Sequence, residues 1–225
     1  MSELEVVNKK WVFIKQNLSN FKPAESFSLH TDLVKKILYL INDLGDSANI
    51  LTTQDKTYVK LANSVFLKLP LMTEMMGQAR GVGTGIATKG ICDTNMRVKL
   101  TYLLCNARET ANAVSLDVKD ALNSNSELKQ QASTVLEDNQ RATQKFLGSL
   151  ENNIINVENI ELSSAEYYEA GTEAIQLAFA LMDKITLSMK NNLQNFISKL
   201  SVKIFITQIV TSCVSIFMLG VLFYF

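Results

Sequence analysis

Arg80 is the side chain whose type and position most suggest chemistry with a ligand in this 225-residue chain. It is the only charged residue between Glu74 and Lys89. A guanidinium group forms paired hydrogen bonds with a carboxylate or a similar oxyanion. Arg80 is therefore a candidate anchor for a small anionic ligand. The alternative is a salt bridge to an acidic residue of a neighbouring helix, which is a common role for an arginine in a helical protein.

Three glycines around Arg80 are spaced by four residues: Gly77, Gly81 and Gly85. On a helix this spacing places them on one face, where the missing side chains let another helix approach closely. Each glycine costs a helix about 1 kcal/mol relative to alanine, so three on one face predict a close contact or a pliable segment. The run Gly81–Gly85 does not have the GxGxxG spacing of a dinucleotide-binding loop, and no strand is predicted before it.

The sequence shows no arrangement that is typical of an enzyme or a metal site. His30 is the only histidine, and the spacing of Cys92 and Cys105 fits no zinc pattern, while Cys213 lies in the apolar C-terminal segment. No nucleophile is paired with a base. We therefore predict a protein that is not an enzyme, with no catalytic residues, no metal and no cofactor. His30 is expected to have a surface or capping role.

Charge is balanced, with 22 basic and 22 acidic side chains. The chain thus lacks the basic field of a nucleic-acid-binding protein and the basic cluster that binds anionic lipid. Two prolines and nine glycines are few for a chain of this length, and no run of alternating Val, Ile and Thr predicts a strand. The predicted fold class is all-α, an elongated up-down helical bundle.

Apolar residues at steps of three and four predict the helices of this bundle. Pro23 is expected to separate the first two helices, and Pro70 to kink or restart the third. Thr31 is expected to cap the second helix and Gly45 to end it. Ser126 is expected to cap the fifth helix. The predicted helices cover residues 3–21, 32–44, 52–69 with a continuation over 71–89, 93–121, 126–151, and the chain from 163 or 164 onward.

The last predicted helix carries mainly apolar residues at alternating steps of four and three, which is the pattern of a heptad seam. Such a seam indicates packing against another helix, either within an ordinary bundle or between the two copies of a homodimer. We interpret it as a helix-packing and signalling surface. The predicted seam consists of Ile175, Phe179, Met182, Thr186, Met189, Leu193, Phe196 and Leu200.

The last 22 residues, Ile204 to Phe225, contain no charged side chain. As a helix rising about 1.5 Å per residue they would be roughly 33 Å long, enough to cross a hydrocarbon core of about 30 Å. A buried core helix of this length would normally show a polar stripe. The predicted domains are therefore a helical bundle, residues 1–203, and one C-terminal transmembrane helix, residues 204–225, embedded in the lipid bilayer. The N-terminus has no apolar stretch typical of a signal peptide.

Residues scattered along the chain resemble a known type of sensor domain. Residues 163–185, SSAEYYEAGTEAIQLAFALMDKI, resemble the last ectodomain helix that precedes a second span. The resemblance is to the helical ectodomain of bacterial methyl-accepting chemotaxis proteins, sensor histidine kinases and diguanylate cyclases. Other matching positions are His30, the turn Gly45-Asp46-Ser47, Tyr58, Leu69-Pro70 and Gly77-Gln78-Ala79-Arg80-Gly81. The chain departs from the family at residues 51–55, LTTQD, where family members often have an acidic turn. It also departs from the family in having neither a first span nor an output domain within the sequence.

The resemblance implies a sensory input module of a membrane-bound bacterial receptor, truncated relative to its family. Its bundle would be periplasmic, with a single pass through the inner membrane, and two copies would form a homodimer. The last helix would transmit a small displacement across the membrane. The alternative is a C-terminally anchored interaction protein with a cytoplasmic bundle, which Lys199 and Lys203 beside the span favour. A helical toxin is disfavoured by the C-terminal position of the apolar segment. Neither the ligand nor the type of output domain follows from the sequence.

Overall fold

A computed structural model describes residues 2–47 and 56–224, with the backbone alone for Phe196 and residues 213–224. These ranges contain helices and no strand, so the all-α fold class is confirmed. The chain divides into two compact units, residues 1–185 and 186–225. The helices of the described ranges are α1 (Glu3–Asn17), α2 (Pro23–Ser47), α3 (Lys56–Asn63), α4 (Leu69–Lys89), α5 (Thr94–Ser124), α6 (Ser126–Leu150) and α7 (Ser164–Tyr224).

Helix α2 begins earlier and ends later than predicted. It starts at Pro23, because a proline in the first turn needs no N–H partner and has the φ angle of a helix. The predicted cap, Thr31, therefore lies inside the helix, and so does His30. Gly45 is also inside α2, where it is buried, rather than at its end. The break predicted at Pro23 is correct, but the same residue also starts the next helix.

The restart predicted at Pro70 is confirmed and takes the form of a π-helical turn. Helix α3 continues into this turn, Ser64–Lys68, and α4 begins at Leu69. The Leu69 N–H donates to the Ser64 carbonyl, five residues back, and Pro70 has no N–H to donate. The predicted start of the third helix at residue 52 or 53 lies outside the described residues.

A second π-helical turn, Glu151–Ile155, follows α6 and is held by Arg97 of α5. The Arg97 guanidinium donates hydrogen bonds to the carbonyls of Ile154 at 3.3 Å, Val157 at 3.0 Å, and Ile155. Carbonyls at the end of a helix lack intrahelical partners and must find others. Arg97 therefore supplies donors to this helix end and fastens it to α5.

Helices α5 and α6 form an antiparallel hairpin that is joined at Asn125. The Asn125 side chain accepts a hydrogen bond from the Leu128 N–H at 2.9 Å, so Asn125 is the cap, and Ser126 is the first helical residue. Arg108 near the middle of α5 pairs with Glu151 just after α6, at 2.6 Å. Short connections of this kind place consecutive helices side by side in opposite directions.

The buried face of α7 in the first unit lies one residue before the predicted seam. It repeats at steps of four and three and consists of Tyr167, Gly171, Ala174, Ala178, Leu181 and Ile185. Glycine and alanine dominate its middle, so the sequence pattern drew attention to the larger side chains beside it. Of the predicted seam, Met189 is buried, Ile175 and Met182 are half-buried, Phe196 lies outside the described side chains, and Phe179, Thr186, Leu193 and Leu200 are exposed.

Among the residues described with their side chains, no helix has both the length and the apolar character needed to cross a membrane. The second half of the predicted span, residues 213–225, lies outside these residues. Large apolar side chains in the first half are 47% to 62% exposed: Ile204, Phe205, Ile206, Ile209 and Val210.

Candidate functional site at the contact of α4 and α7

Arg80 lies on α4 and makes its polar contacts with α7. Its Nη1 donates a hydrogen bond to the hydroxyl oxygen of Thr172 at 2.7 Å. Its guanidinium carbon lies 4.6 Å from the centre of the Tyr168 ring, a cation–π arrangement. Tyr168 and Thr172 are one turn apart on α7, so both contacts tie α4 to the same stretch of that helix.

Arg80 has no carboxylate partner among the residues that the structure describes, which speaks against the alternative of a salt bridge. Glu74, the nearest acidic residue before it in the sequence, accepts a hydrogen bond from Gln78 at 2.8 Å instead. Burial raises the pKa of the Glu74 carboxyl group. The Arg80 Nε is buried and has no hydrogen-bond partner. A guanidinium has five N–H donors, and this one thus has donors to spare for a ligand.

Thr84 adds a second unsatisfied polar atom close to Arg80 in the sequence. Its hydroxyl oxygen is buried and has no hydrogen-bond partner. Residues four apart on a helix lie on the same face, so Thr84 follows Arg80 one turn along α4. This side of α4 therefore offers a cation and a hydroxyl group, both of which suit the oxygen atoms of a small anion.

Gly171 of α7 makes room for the aliphatic part of Arg80. A Cβ at Gly171 would lie 2.9 Å from the Arg80 Cγ and 2.8 Å from the Phe146 Cε2, closer than real Cβ contacts. Sequence reasoning did not identify Gly171 as a site residue. The signal was present, because an isolated glycine inside a helical pattern has a packing reason more often than none.

Gly83 makes a similar close contact with Tyr167, beside the Arg80 site. A Cβ at Gly83 would lie 2.5 Å from the Tyr167 ring and hydroxyl. Tyr167 is 1% exposed, and its hydroxyl donates to the Ala79 carbonyl at 3.0 Å. Burial raises the pKa of Tyr167, which keeps its hydroxyl protonated as a donor. Gly83 entered the sequence analysis only within the rejected nucleotide-binding motif.

The predicted glycine face is only partly used within one copy of the chain. Gly77 and Gly85 have nothing within 4 Å of a Cβ position in the described structure. A Cβ at Gly81 would lie 3.3 Å from the Phe27 ring of α2. The close approach of α4 and α7 depends instead on Gly83 and on Gly171.

His30, Cys92 and Cys105 are not among the residues that contact Arg80. The His30 Nδ1 is 2.7 Å from the Ser26 carbonyl oxygen, and its ring meets the Trp11 ring edge-on, so it packs α2 against α1 rather than capping a helix. Cys92 and Cys105 are free thiols. No group of metal-ligating side chains occurs in the part of the chain that was described.

No family model matches the chain, and neither curated proteins nor solved structures provide a match. The resemblance to bacterial sensor ectodomains thus stays a prediction from the sequence. What the chain does must be argued from the Arg80 contacts and from the pattern of α7.

Proposed function

We propose that this chain is the non-enzymatic sensory input module of a membrane-bound bacterial receptor, in which a small anion bound at Arg80 shifts α7. The observation that carries the proposal is Arg80 itself. It is a cation without a carboxylate partner in the described structure, and its polar contacts are Tyr168 and Thr172 of α7. Helix α7 continues without a break to Tyr224, within the uncharged segment.

Anion binding would act by moving the Arg80 side chain. The Nε–H and the Nη2 form the guanidinium edge that binds a carboxylate, and the Nε is buried. An oxyanion would therefore reach this edge only if the side chain turned away from Thr172 and Tyr168. A ligand shifts a conformational equilibrium only by its difference in affinity for the two states. The difference here would be the exchange of α7 contacts for ligand contacts.

We place the terminal segment in the bacterial inner membrane as a single transmembrane helix. Its support is the uncharged stretch from Ile204 onward together with the exposed apolar side chains of its first half, which would otherwise face water. We propose a periplasmic bundle, as the resemblance to sensor ectodomains implies. The alternative, a C-terminally anchored interaction protein with a cytoplasmic bundle, is favoured by Lys199 and Lys203 on the near side of the span.

A homodimer is the proposed state, with the exposed part of the predicted seam as its contact. Phe179, Leu193 and Leu200 are each between 45% and 49% exposed in one copy of the chain. Apolar residues at heptad spacing that do not pack within the copy are suited to pair with the same residues of a second copy.

Arg80→Ala is expected to weaken binding of a small anion at least tenfold. Acetate, malonate and inorganic phosphate are suitable probes, titrated into the full-length protein in an isothermal titration calorimeter. Arg141→Ala is the matched control, because the Arg141 side chain is 77% exposed and lies on another helix. Thr172→Val should keep or tighten binding, since it frees the donor that Thr172 occupies. Equal affinity of Arg80→Ala and the wild type would remove Arg80 from the site.

Leu193→Cys is expected to form disulfide-crosslinked dimers when intact cells are treated with an oxidant, and to react with a membrane-impermeant maleimide in cells that are kept reduced. The three native cysteines are first replaced by serine. Labelling that occurs only after the cells are lysed would support the cytoplasmic alternative and contradict the periplasmic bundle. Lack of dimers at this position and at Leu200→Cys, with labelling intact, would contradict the dimer alone.

A further inference from the structure

A cavity of about 130 Å³ lies between α5 and α6, and Arg80 is not among the residues that line it. Helix α5 contributes Arg108 and Asn112, and α6 contributes Asn139, Thr143 and Gln144. A single water molecule needs a cavity of only about 10–15 Å³. The cavity therefore has room for a small molecule of several heavy atoms.

Two side chains lining the cavity carry unsatisfied hydrogen-bonding atoms. Asn139 is 4% exposed and Thr143 is 3% exposed. The Asn139 Nδ2 and the Thr143 hydroxyl oxygen have no hydrogen-bond partner in the described structure. Burying polar groups without partners is unfavourable, and such groups normally have a partner within the protein or bound to it. The two residues lie four apart on one face of α6 and both line the cavity, so one ligand there would lie next to both.

The charge of the cavity is already balanced. The Arg108 Nη2 donates to the Glu151 carboxylate at 2.6 Å, and this hydrogen bond lowers the pKa of Glu151, so both groups are charged at neutral pH. Gln140 is occupied by a hydrogen bond with the Ser115 hydroxyl. What is left for a ligand is the buried Asn139 amide and the Thr143 hydroxyl group, beside the neutral amide groups of Asn112 and Gln144. These suit an uncharged oxygen acceptor better than an ion.

We propose that this cavity binds a small uncharged molecule with a carbonyl or hydroxyl oxygen, such as an amide or a polyol. Its oxygen would accept a hydrogen bond from the Asn139 side chain, and the Thr143 hydroxyl would donate to or accept from a neighbouring group of the same molecule. The site is separate from Arg80 and does not depend on the function proposed above. It gives the bundle a second ligand class, distinguished from the first by charge.

Ligand-observed saturation-transfer NMR on the full-length protein tests the site, with acetamide and glycerol as neutral probes and acetate and methylammonium as charged probes. Asn139→Leu and Thr143→Val are expected to weaken binding of the neutral probes at least tenfold. Thr101→Val is the matched control, because Thr101 lies on the exposed side of α5 and bonds to the Arg97 carbonyl of its own helix. This control should bind the neutral probes as the wild type does.

Circular dichroism of each variant establishes whether it is folded. If Asn139→Leu is not folded, the test rests on Thr143→Val, because valine has nearly the shape of threonine. Wild-type protein that binds neither neutral probe would overturn the proposal, since the cavity would then hold water only. Undiminished binding by Thr143→Val would also overturn it, as would equal loss in Thr101→Val. Acetate binding that is lost in Arg80→Ala but kept in Thr143→Val would leave the two sites distinct, as proposed.

Discussion

Replacing Gly83 by alanine is expected to lower the free energy of unfolding by about 1–3 kcal/mol, the usual effect of inserting a methyl group into a well-packed contact. The new Cβ would lie 2.5 Å from the Tyr167 Cε1 and hydroxyl oxygen. Tyr167 cannot move away cheaply, because its hydroxyl is bonded to the Ala79 carbonyl and its ring lies 5.2 Å from that of Phe146. Helices α4 and α7 would have to separate.

Gly85→Ala is the matched control for this prediction, since it adds the same methyl group one half-turn further along the same helix. Gly85 is exposed and has nothing within 4 Å of a Cβ position. Alanine there should raise the stability of α4 by about 1 kcal/mol, the helix-propensity difference between the two residues. Chemical denaturation of the three proteins measures both effects. A stabilising Gly83→Ala would contradict the close contact with Tyr167.

Arg97→Ala is expected to destabilise the bundle by about 3 kcal/mol. Hydrogen bonds to charged groups contribute about 1.5–3 kcal/mol each. Loss of the side chain removes the donor from three carbonyls, two in the turn and one just after it, and water compensates for part of this loss. Those carbonyls belong to Ile154, Ile155 and Val157. Arg97→Lys should restore part of the loss, because an ammonium group reaches fewer of them.

Arg141→Ala serves as the control for Arg97→Ala. The Arg141 side chain is 77% exposed and pairs with Asp138 at 3.6 Å, so its removal should change stability by less than about 0.5 kcal/mol. Hydrogen exchange adds a local readout to denaturation. The amides of residues 151–157 should lose protection in Arg97→Ala and keep it in Arg141→Ala. Equal stability of the two variants would show that Arg97 does not hold the turn.

The helix pattern could be predicted from the sequence where strong local signals occur. Pro70 marked the restart of a helix, and the start of the last helix was placed within one residue of Ser164. The start of α2 was missed, because Pro23 was interpreted only as a break. The buried face of α7 was missed for another reason. Small residues such as Gly171 and Ala174 add little to a hydrophobic pattern in the sequence. Their burial depends on how closely α4 and α6 approach α7, which is a tertiary effect.

The candidate site was likewise predictable from the sequence only in part. Arg80 was recognisable because it stands alone among uncharged residues. Its partners were not, since Thr172 lies 92 residues away and a hydroxyl group has no distinctive sequence signal. The cavity between α5 and α6 was not foreseen either. Asn139 and Thr143 are ordinary polar helix residues until the fold shows that both are buried without partners.

The contacts within the α5–α6 hairpin and the contacts that dock α7 differ in the length of the loop that each closes. The Ser115–Gln140 pair closes a loop of 25 residues, whereas the Arg80–Thr172 pair closes one of 92. Loop-closure entropy grows with the logarithm of loop length, which makes the longer closure less favourable by about 1 kcal/mol. We therefore expect α7 to dock late in folding, after the hairpin has formed from neighbouring sequence. A ligand that replaced the Arg80–Thr172 contact would then act on the part of the fold that we expect to assemble last.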